Sequence, residues 1–523
     1  MTKRSTLRRA LAPLAAVAVV ASLLAPQAAA DERANTQGLR KAVTLAGVRD
    51  HQAALQAIAD ANGDTRLSGT SGFDASAEYV IDKAEAAGYD VSVFEFEFLL
   101  VGDRTPPEME RVAPNPRTYV NGQEFLTMNY SGSGDSTAPL TAVDVAGGTS
   151  GCEPADFAGF PAGDIALIKR GTCTFRVKAD NAVAAGASAA IIYNDGLAPD
   201  RMGVINGRLN PPETLVAIPT VGTSFAIGQE LANGVVNGAT GVTMRVRVDS
   251  IAETRTTRNV IAETPGGDPD HVVVVGAHLD SVSRGPGIND NGSGSAAILE
   301  LAEQLSARDI EPRNKLRFMW YGAEEHGLIG STRYVQALPQ AERDKIELML
   351  NFDMIGSPNF VRFVYDGDNS AFPVGPGVAA GPPGSGEIEQ TFRDYFASQG
   401  LPVEPTPFNG RSDYGPFIAA GIPAGGLFTG AEGIKTPAQA AVYGGTAGAQ
   451  FDPCYHLACD TYDNNSDTAL DQMSDAIAHT VLVYAKRNFV QRPLTDPAPA
   501  ADAGAGGGGG LHDDHDDHAR VSM

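Results

Sequence analysis

The chain has 523 residues, 43% hydrophobic and 20% charged, with 59 glycines, 33 prolines and 7% aromatics. That is enough apolar material for two or three cored domains, and it excludes a disordered or coiled-coil protein. A formal charge of −24 repels phosphate backbones and anionic lipid, so nucleic acid is excluded as a partner, and four cysteines can make two local staples but no disulfide scaffold.

Residues 1–30 read as a signal peptide. Lys3, Arg4, Arg8 and Arg9 precede an apolar run interrupted by Pro13, and Gln27-Ala28-Ala29-Ala30 forms a small-residue cleavage site before Asp31. No second window of about 18 apolar residues follows. The mature protein is therefore expected to be secreted, extracellular and free of the membrane. The Arg8-Arg9 pair leaves the general and twin-arginine export routes both open.

From Asp31 to about residue 101 the pattern is helical, then extended. Leu55, Ile58 and Ala59 share one helix face, and Ala77, Val80, Ala84 and Ala87 another. Phe94, Phe96 and Phe98 then alternate with Glu95 and Glu97, the mark of a half-buried strand. Residues 102–135, rich in proline, glycine and asparagine, read as a transition within a unit spanning 102–250. Short apolar strands (LTAVDVA, DIALIKRG, AAIIYND, AIPTVG) there alternate with the helix KADNAVAAGA. Cys152 and Cys173 flank the second of these strands and could pair.

Over 251–492 the rhythm becomes strand, loop, helix. RNVIAE, HVVVVGAH, KLRFMWYG, ELMLNFD and NFVRFVYDG are strand candidates, with Ile298, Leu301, Ala302 and Leu305 on one face of an intervening helix. Apolar strands separated by helices predict an α/β fold with a mostly parallel, helix-covered sheet. Residues 493–523 hold five successive glycines and the run HDDHDDH, and are expected to be disordered.

Ligands of open α/β sheets bind beyond the carboxyl ends of the strands. Three candidate strands end there in metal-ligand residues: VVVV in Gly276-Ala277-His278-Leu279-Asp280, LRFMWY in Gly322-Ala323-Glu324-Glu325, and LMLN in Phe352-Asp353-Met354. The loop Gly287-Ile288-Asn289-Asp290 adds a carboxylate, and Cys454-Tyr455-His456-Leu457-Ala458-Cys459 a second imidazole. Two hydrolytic zinc ions need imidazole and carboxylate ligands and one bridging carboxylate. His278, Asp290, Glu325, Asp353 and His456 would suffice. Glu324, next to a ligand, is placed to take a proton from water.

The ordered motifs GAHLDSV, GINDNGSGSAA, WYGAEEHGLIGS, NFDMIGS, GRSDYGPF, GGLFTGAE and CYHLACD resemble the secreted di-zinc aminopeptidases, over roughly residues 45–100 and 255–490. Between those segments, GCEPADF at 151–157 and RGTCTFRVKADNAVAAGASAAIIYN at 170–194 resemble the protease-associated domain, a small β-rich insertion. The resemblance implies a lid or guide role for that insertion. It also implies that His278 and Asp353 hold one zinc, Glu325 and His456 the other, and that Asp290 bridges them across a cis Asp290–Asn291 peptide. Glu324 would be the general base, Asp280 would orient the His278 ring, and Tyr455 would donate to the oxyanion. A Cys454–Cys459 disulfide would stiffen the loop carrying Tyr455 and His456.

The implied reaction is removal of N-terminal residues, large apolar ones favoured, from peptides or proteins by a monomeric enzyme. Met354, Arg411 and Phe428 are candidate walls of the substrate pocket. A carboxypeptidase or dipeptidase of the same fold would need fixed cations for a terminal carboxylate, and only Arg411 stands near the motifs. A binding protein that had lost its catalytic metals would lack these ligands. Asp471 and Asp475, one turn apart on the last helix, match a calcium pair of the resembling enzymes. Lys41 or Ala42 falls where a further aspartate would complete it, so any such site should be weak. His512, His515 and His518 could bind metal but read more simply as a solvated acidic tail. His51, His271, His326 and His479 are expected to be structural or exposed.

Overall fold

The computed structural model describes residues 35–198, 201–209, 214–375, 377–491 and 493–496. The leader expected over 1–30 and His512, His515 and His518 lie outside these residues. Among the described residues no helix is long and apolar enough to cross a membrane.

Helices α1 (Leu45–Ala61) and α2 (Ser71–Ala86) open the fold, α1 starting where the Thr44 hydroxyl accepts the Gly47 N–H. Val48, Leu55 and Ala59 of α1, and Phe73, Ala77, Val80 and Ala84 of α2, are buried. Strand β1 (Asp90–Ala113) follows, with Phe96 and Phe98 buried and Glu95 and Glu97 exposed.

Of the stretch read as a transition, residues 102–113 are the second half of β1, and the remainder holds β2 (Arg117–Thr118) and β3 (Phe125–Thr127). Strand β1 pairs antiparallel with β8 (Gly238–Glu263) from Asp90↔Glu263 to Ala113↔Thr243, forming a continuous ribbon through both units. Pro106 and Pro107 sit where the register shifts between Thr105 and Glu108, and a bulge tolerates a missing N–H. The expected boundaries at 101/102 and 250/251 fall within this ribbon, beside the pair Gly102↔Ile251.

At the far end of the ribbon β4 (Gly134–Val143), β5 (Ile165–Lys169), β6 (Ala189–Tyr193) and β7 (Thr220–Thr223) run parallel, with helices Phe175–Ala184 and Phe225–Ala232 against them. Cys152 and Cys173 are bonded there, at an S–S distance of 2.10 Å.

The near end carries the larger core. Strands β9 (Asp268–His278), β10 (Asn314–Tyr321) and β11 (Ile346–Phe352) lie parallel with β9 central, and β14 (Ala424–Phe428) runs parallel beside β11. Strand β8 closes one side antiparallel to β10. On the other side β12 (Phe363–Tyr365) is antiparallel to β14 and parallel to β13 (Glu404–Thr406). Helices Gly292–Ala307 and Asp467–Lys486 cover one face, burying Ile298, Leu301, Ala302, Leu305, Met473, Ile477 and Val481. The architecture is mixed α/β with a largely parallel catalytic sheet. Because β11, β9 and β10 are neighbours and point the same way, the residues after their ends share one edge.

Candidate active site

That edge brings the expected ligands together. His278 ends β9, Glu324 and Glu325 follow β10, and Asp353 follows β11. Asp290 comes from the loop before helix Gly292–Ala307, whose N-terminus Asn291 caps by accepting the Gly294 N–H. His456 arrives on a loop closed by the Cys454–Cys459 disulfide.

Asp290 lies between the two imidazoles. One oxygen is 3.2 Å from Nε2 of His278 and the other 3.2 Å from Nε2 of His456. Nε2 of His278 is also 3.2 Å from Asp353, and Nε2 of His456 is 3.2 Å from Glu325. Glu324 stands back, 3.9 Å from His278. Burial drives the Glu324 carboxyl well above its usual range, with Asp413, Glu325 and Asp353 adding in the same direction. The carboxylates outweigh the burial of His456, whose pKa rises to about 10, Glu325 contributing most. Four acids around two imidazoles, with Oε1 of Glu325 buried and unpartnered, form a donor set suited to cations.

The surroundings fix these side chains. The Asp280 carboxylate, expected to orient His278, is 3.7 Å from Nδ1, and the Asp280 main-chain carbonyl is 3.1 Å from the same nitrogen. The carboxylate also accepts the N–H groups of Glu324 and Glu325, at 3.2 and 3.4 Å. Ser412 donates to Asp353 at 2.6 Å and accepts from Asn351 at 2.7 Å. Asp460 accepts the N–H groups of Asn289 and Asp290, both at 2.9 Å, and Asn289 also donates to Asp452 at 2.7 Å. The Asp290–Asn291 peptide is cis. Fully buried Arg66 donates to the carbonyls of Leu279, Pro286 and Gly287, tying down the loop that leads to Asp290. Ala323, Met354 and His456 adopt left-handed φ of 54°, 49° and 57°, unusual for these residue types and clustered at the site.

Ser412, Asn351, Asp460, Asp452, Asn289 and Arg66 were not singled out from the sequence. Their partners lie as much as 221 positions away. Asn289, Asn351, Ser412 and Asp460 nonetheless stand inside the motifs GINDNGSGSAA, NFDMIGS, GRSDYGPF and CYHLACD, whereas Arg66 and Asp452 carried no such signal.

A cavity of about 380 Å³ opens beside the cluster. Met354, Arg411, Phe428 and Tyr455 all line it, together with Phe363, Phe451 and Ile434. Arg411 pairs with Glu432 at 2.6 Å and donates to the Tyr455 hydroxyl at 3.0 Å. The Tyr455 ring stacks on His456, centroids 3.8 Å apart. Asp471 and Asp475 are not part of this cluster. Asp475 is paired at 3.5 Å with Arg40, one position before Lys41.

Comparison with known proteins places this geometry. The peptidase family M28 model matches residues 259–481, and the PA domain model matches 136–231. An aminopeptidase of Pseudomonas aeruginosa is 44% identical over 508 residues, covering 91% of each chain.

The chain belongs to peptidase family M28.

This M28 peptidase is also 46% identical over 368 residues to a probable leucine aminopeptidase 2 of Aspergillus fumigatus, covering 70% of each chain. Among solved structures it resembles an aminopeptidase from Aneurinibacillus, with a TM-score of 0.64 and 26% identity, covering 89% of this chain and 98% of the other. It also resembles a zinc aminopeptidase from Bacillus subtilis, with a TM-score of 0.61 and 25% identity, covering 87% and 98%. The M28 peptidase is thus a hydrolase that carries a PA domain, and the PA match lies at the far end of the ribbon, between the two sequence segments of the catalytic unit.

Proposed function

We propose that this M28 peptidase is a zinc-dependent aminopeptidase that removes N-terminal residues, large apolar ones favoured, from peptides. The observation that carries the reading is the Asp290 carboxylate, shared between two imidazoles that each have a further carboxylate at 3.2 Å. His278 and Asp353 would hold one zinc and Glu325 and His456 the other, with Asp290 available to both. When bound, the ions supply Lewis acidity and lower the pKa of the attacking water.

The protein's own groups do the rest. Glu324, buried and outside the closest ligand contacts, takes the proton from water and returns it to the leaving amine. Asp280 sets the turn carrying Glu324 and Glu325 by holding both N–H groups. Arg411 donates to the Tyr455 oxygen, so the Tyr455 hydrogen is left to stabilise the developing oxyanion. Met354, Phe428 and Phe363 give the cavity an apolar wall for the first side chain.

The charges favour an aminopeptidase over a carboxypeptidase. Asp290, Glu324, Glu325, Asp353, Glu404 and Glu432 line the cavity, against Arg208 and Arg411. Arg411 is neutralised by Glu432 at 2.6 Å, and the acids of this cavity outnumber its guanidinium groups by six to two. An α-ammonium group suits that lining better than a terminal carboxylate, with Glu324 and Asp353 as its nearest partners. The test compares leucine p-nitroanilide, its N-acetylated form and a C-terminal reporter substrate. Hydrolysis of the first alone is expected, and cleavage of the C-terminal substrate alone would reverse the assignment.

Secretion follows from the leader, and is tested by sequencing the N-terminus of the extracellular protein, expected to begin near Asp31. Calcium at Asp471 and Asp475 is at most weakly held, since the Arg40 guanidinium already meets Asp475. A large calcium-dependent rise in melting temperature, lost in Asp471→Asn, would overturn that view.

A further inference from the structure

A second cavity, of about 320 Å³, lies between the PA module and the catalytic unit. Glu325 and His456 line it as well as the first cavity, so the two meet at the metal cluster from different sides. Six acids and two guanidinium groups line the first cavity, whereas Arg104, Arg208 and Arg284 outnumber the acids Asp103 and Glu325 in the second.

Arg208 comes from the PA module, at the junction of the two cavities. Its Nη2 donates to the His326 carbonyl, and its guanidinium lies over Gly327, where a Cβ would be 3.3 Å from Nη1. Gly327 has a φ of +101°, so that close approach and the turn both suit glycine. Nε of Arg208 is buried without a hydrogen-bond partner, and so is Nδ1 of His326, also on this wall. Folded proteins rarely leave such atoms unpaired.

Arg284 comes from the catalytic unit and lines the same cleft. Among the described residues it makes no hydrogen bond or ion pair. Asp103 and Glu325 are the acids that act on it, and burial holds its pKa below the usual arginine range. A partly desolvated guanidinium that makes no hydrogen bond keeps its N–H groups for a planar anion, although Asp103 and Glu325 already act on its charge.

We propose that this interdomain cleft binds the part of the peptide beyond the scissile bond, and that Arg208 and Arg284 together receive a carboxylate carried there. The proposal rests on the aminopeptidase reading. With the first side chain in the apolar cavity, the rest of the chain leaves past Glu325 and His456, and the cleft starts at those residues. The carboxylate can be the free C-terminus of a short peptide or an acidic side chain of a longer one. The PA module thereby supplies a specificity residue.

The test uses the full-length, zinc-loaded protein and the ratio of kcat/KM for Leu-Gly-Gly to that for its C-terminal amide. A ratio cancels any general loss of activity in a variant. The native protein is expected to prefer the acid about tenfold, the worth of one charge-assisted hydrogen bond in a half-solvated site. Its overall charge of −24 would by itself favour the amide. In Arg284→Gln, and separately in Arg208→Gln, the ratio should fall below about threefold.

A second pair, Leu-Gly-Asp-Gly amide against Leu-Gly-Asn-Gly amide, separates the two sources. Discrimination in the second pair assigns the site to side chains, and discrimination in the first pair alone assigns it to peptide termini. A native ratio near one in both pairs, or a preference retained by both variants, overturns the proposal. If no N-unblocked substrate is cleaved, the aminopeptidase reading fails instead. Calorimetric binding of acid and amide peptides to the same proteins then still decides the cleft.

Discussion

Replacing Glu324 with glutamine separates proton transfer from metal binding. The carboxylate is 3.9 Å from the His278 ring, whereas Asp290, Asp353 and Glu325 each lie 3.2 Å from an imidazole. An isosteric amide therefore leaves the five proposed ligands in place. The turn is undisturbed too, because it is held by the Glu324 main chain: its N–H donates to Asp280, and its carbonyl accepts from Gly327 and Leu328. What is lost is a base, for which about 10²–10⁴-fold in kcat is typical. Stability should move the other way. Burial raises the Glu324 pKa, so above the ordinary carboxylate range its ionised form destabilises the folded state, and a neutral amide removes that penalty. The assay is turnover of leucine p-nitroanilide with zinc content and melting temperature measured on the same sample. Zinc-replete protein with turnover within threefold of native would remove Glu324 from the role, and a lower melting temperature of the metal-free variant would refute the electrostatic argument.

Other expectations follow from single contacts. Asp280→Asn replaces one of two acceptors by an NH2 group facing a backbone N–H, and should cost about 10–100-fold in zinc affinity, read by competition with a chelator. Arg66→Met leaves the buried carbonyls of Leu279 and Pro286 unpaired, that of Gly287 keeping the Gly292 N–H, and should lower unfolding free energy in urea by about 2–4 kcal/mol; a change below about 1 kcal/mol would show that the loop holds itself. His479 is held down to about 4 by burial and then by Arg40, so the folded state binds fewer protons there than the unfolded chain. Its stabilisation is complete above about pH 6.5 and fades as pH falls toward 4, on the order of 2 kcal/mol. His479→Phe, which keeps the stack on Tyr395, should lose correspondingly less stability than native between pH 7 and 5, and equal losses would contradict this.

Three ligands, His278, Glu325 and Asp353, were legible because they end or follow apolar strands, and parallel strands deliver such residues to one edge whatever the loops between them do; Asp290 and His456 stand on loops and were legible only from their motifs. Their support was not. Ser412 reaches Asp353 from 59 positions away and Asp460 reaches Asp290 from 170, and no local pattern records such pairings. Asp280 shows the limit in miniature: its nearness to His278 follows from the motif, but the two backbone donors its carboxylate also meets are supplied only by the folded turn. Pro106 and Pro107 misled for a physical reason, since proline ends a regular ladder but fits a bulge, and the β1–β8 ribbon has one there. Arg411 read as a lone cation because Glu432, its partner, stands in another segment. The cleft that joins Arg208 to Arg284 exists only once the PA module folds back on the catalytic unit.

The central claim is that one carboxylate, Asp290, joins two zinc ions at this edge. It is tested most directly by dialysing native protein and Asp290→Ala against the same low free-zinc concentration and measuring bound metal per chain. The account predicts two zinc ions in the native chain and fewer than two in the variant. One ion in the native protein, or two held equally tightly by both, would contradict it.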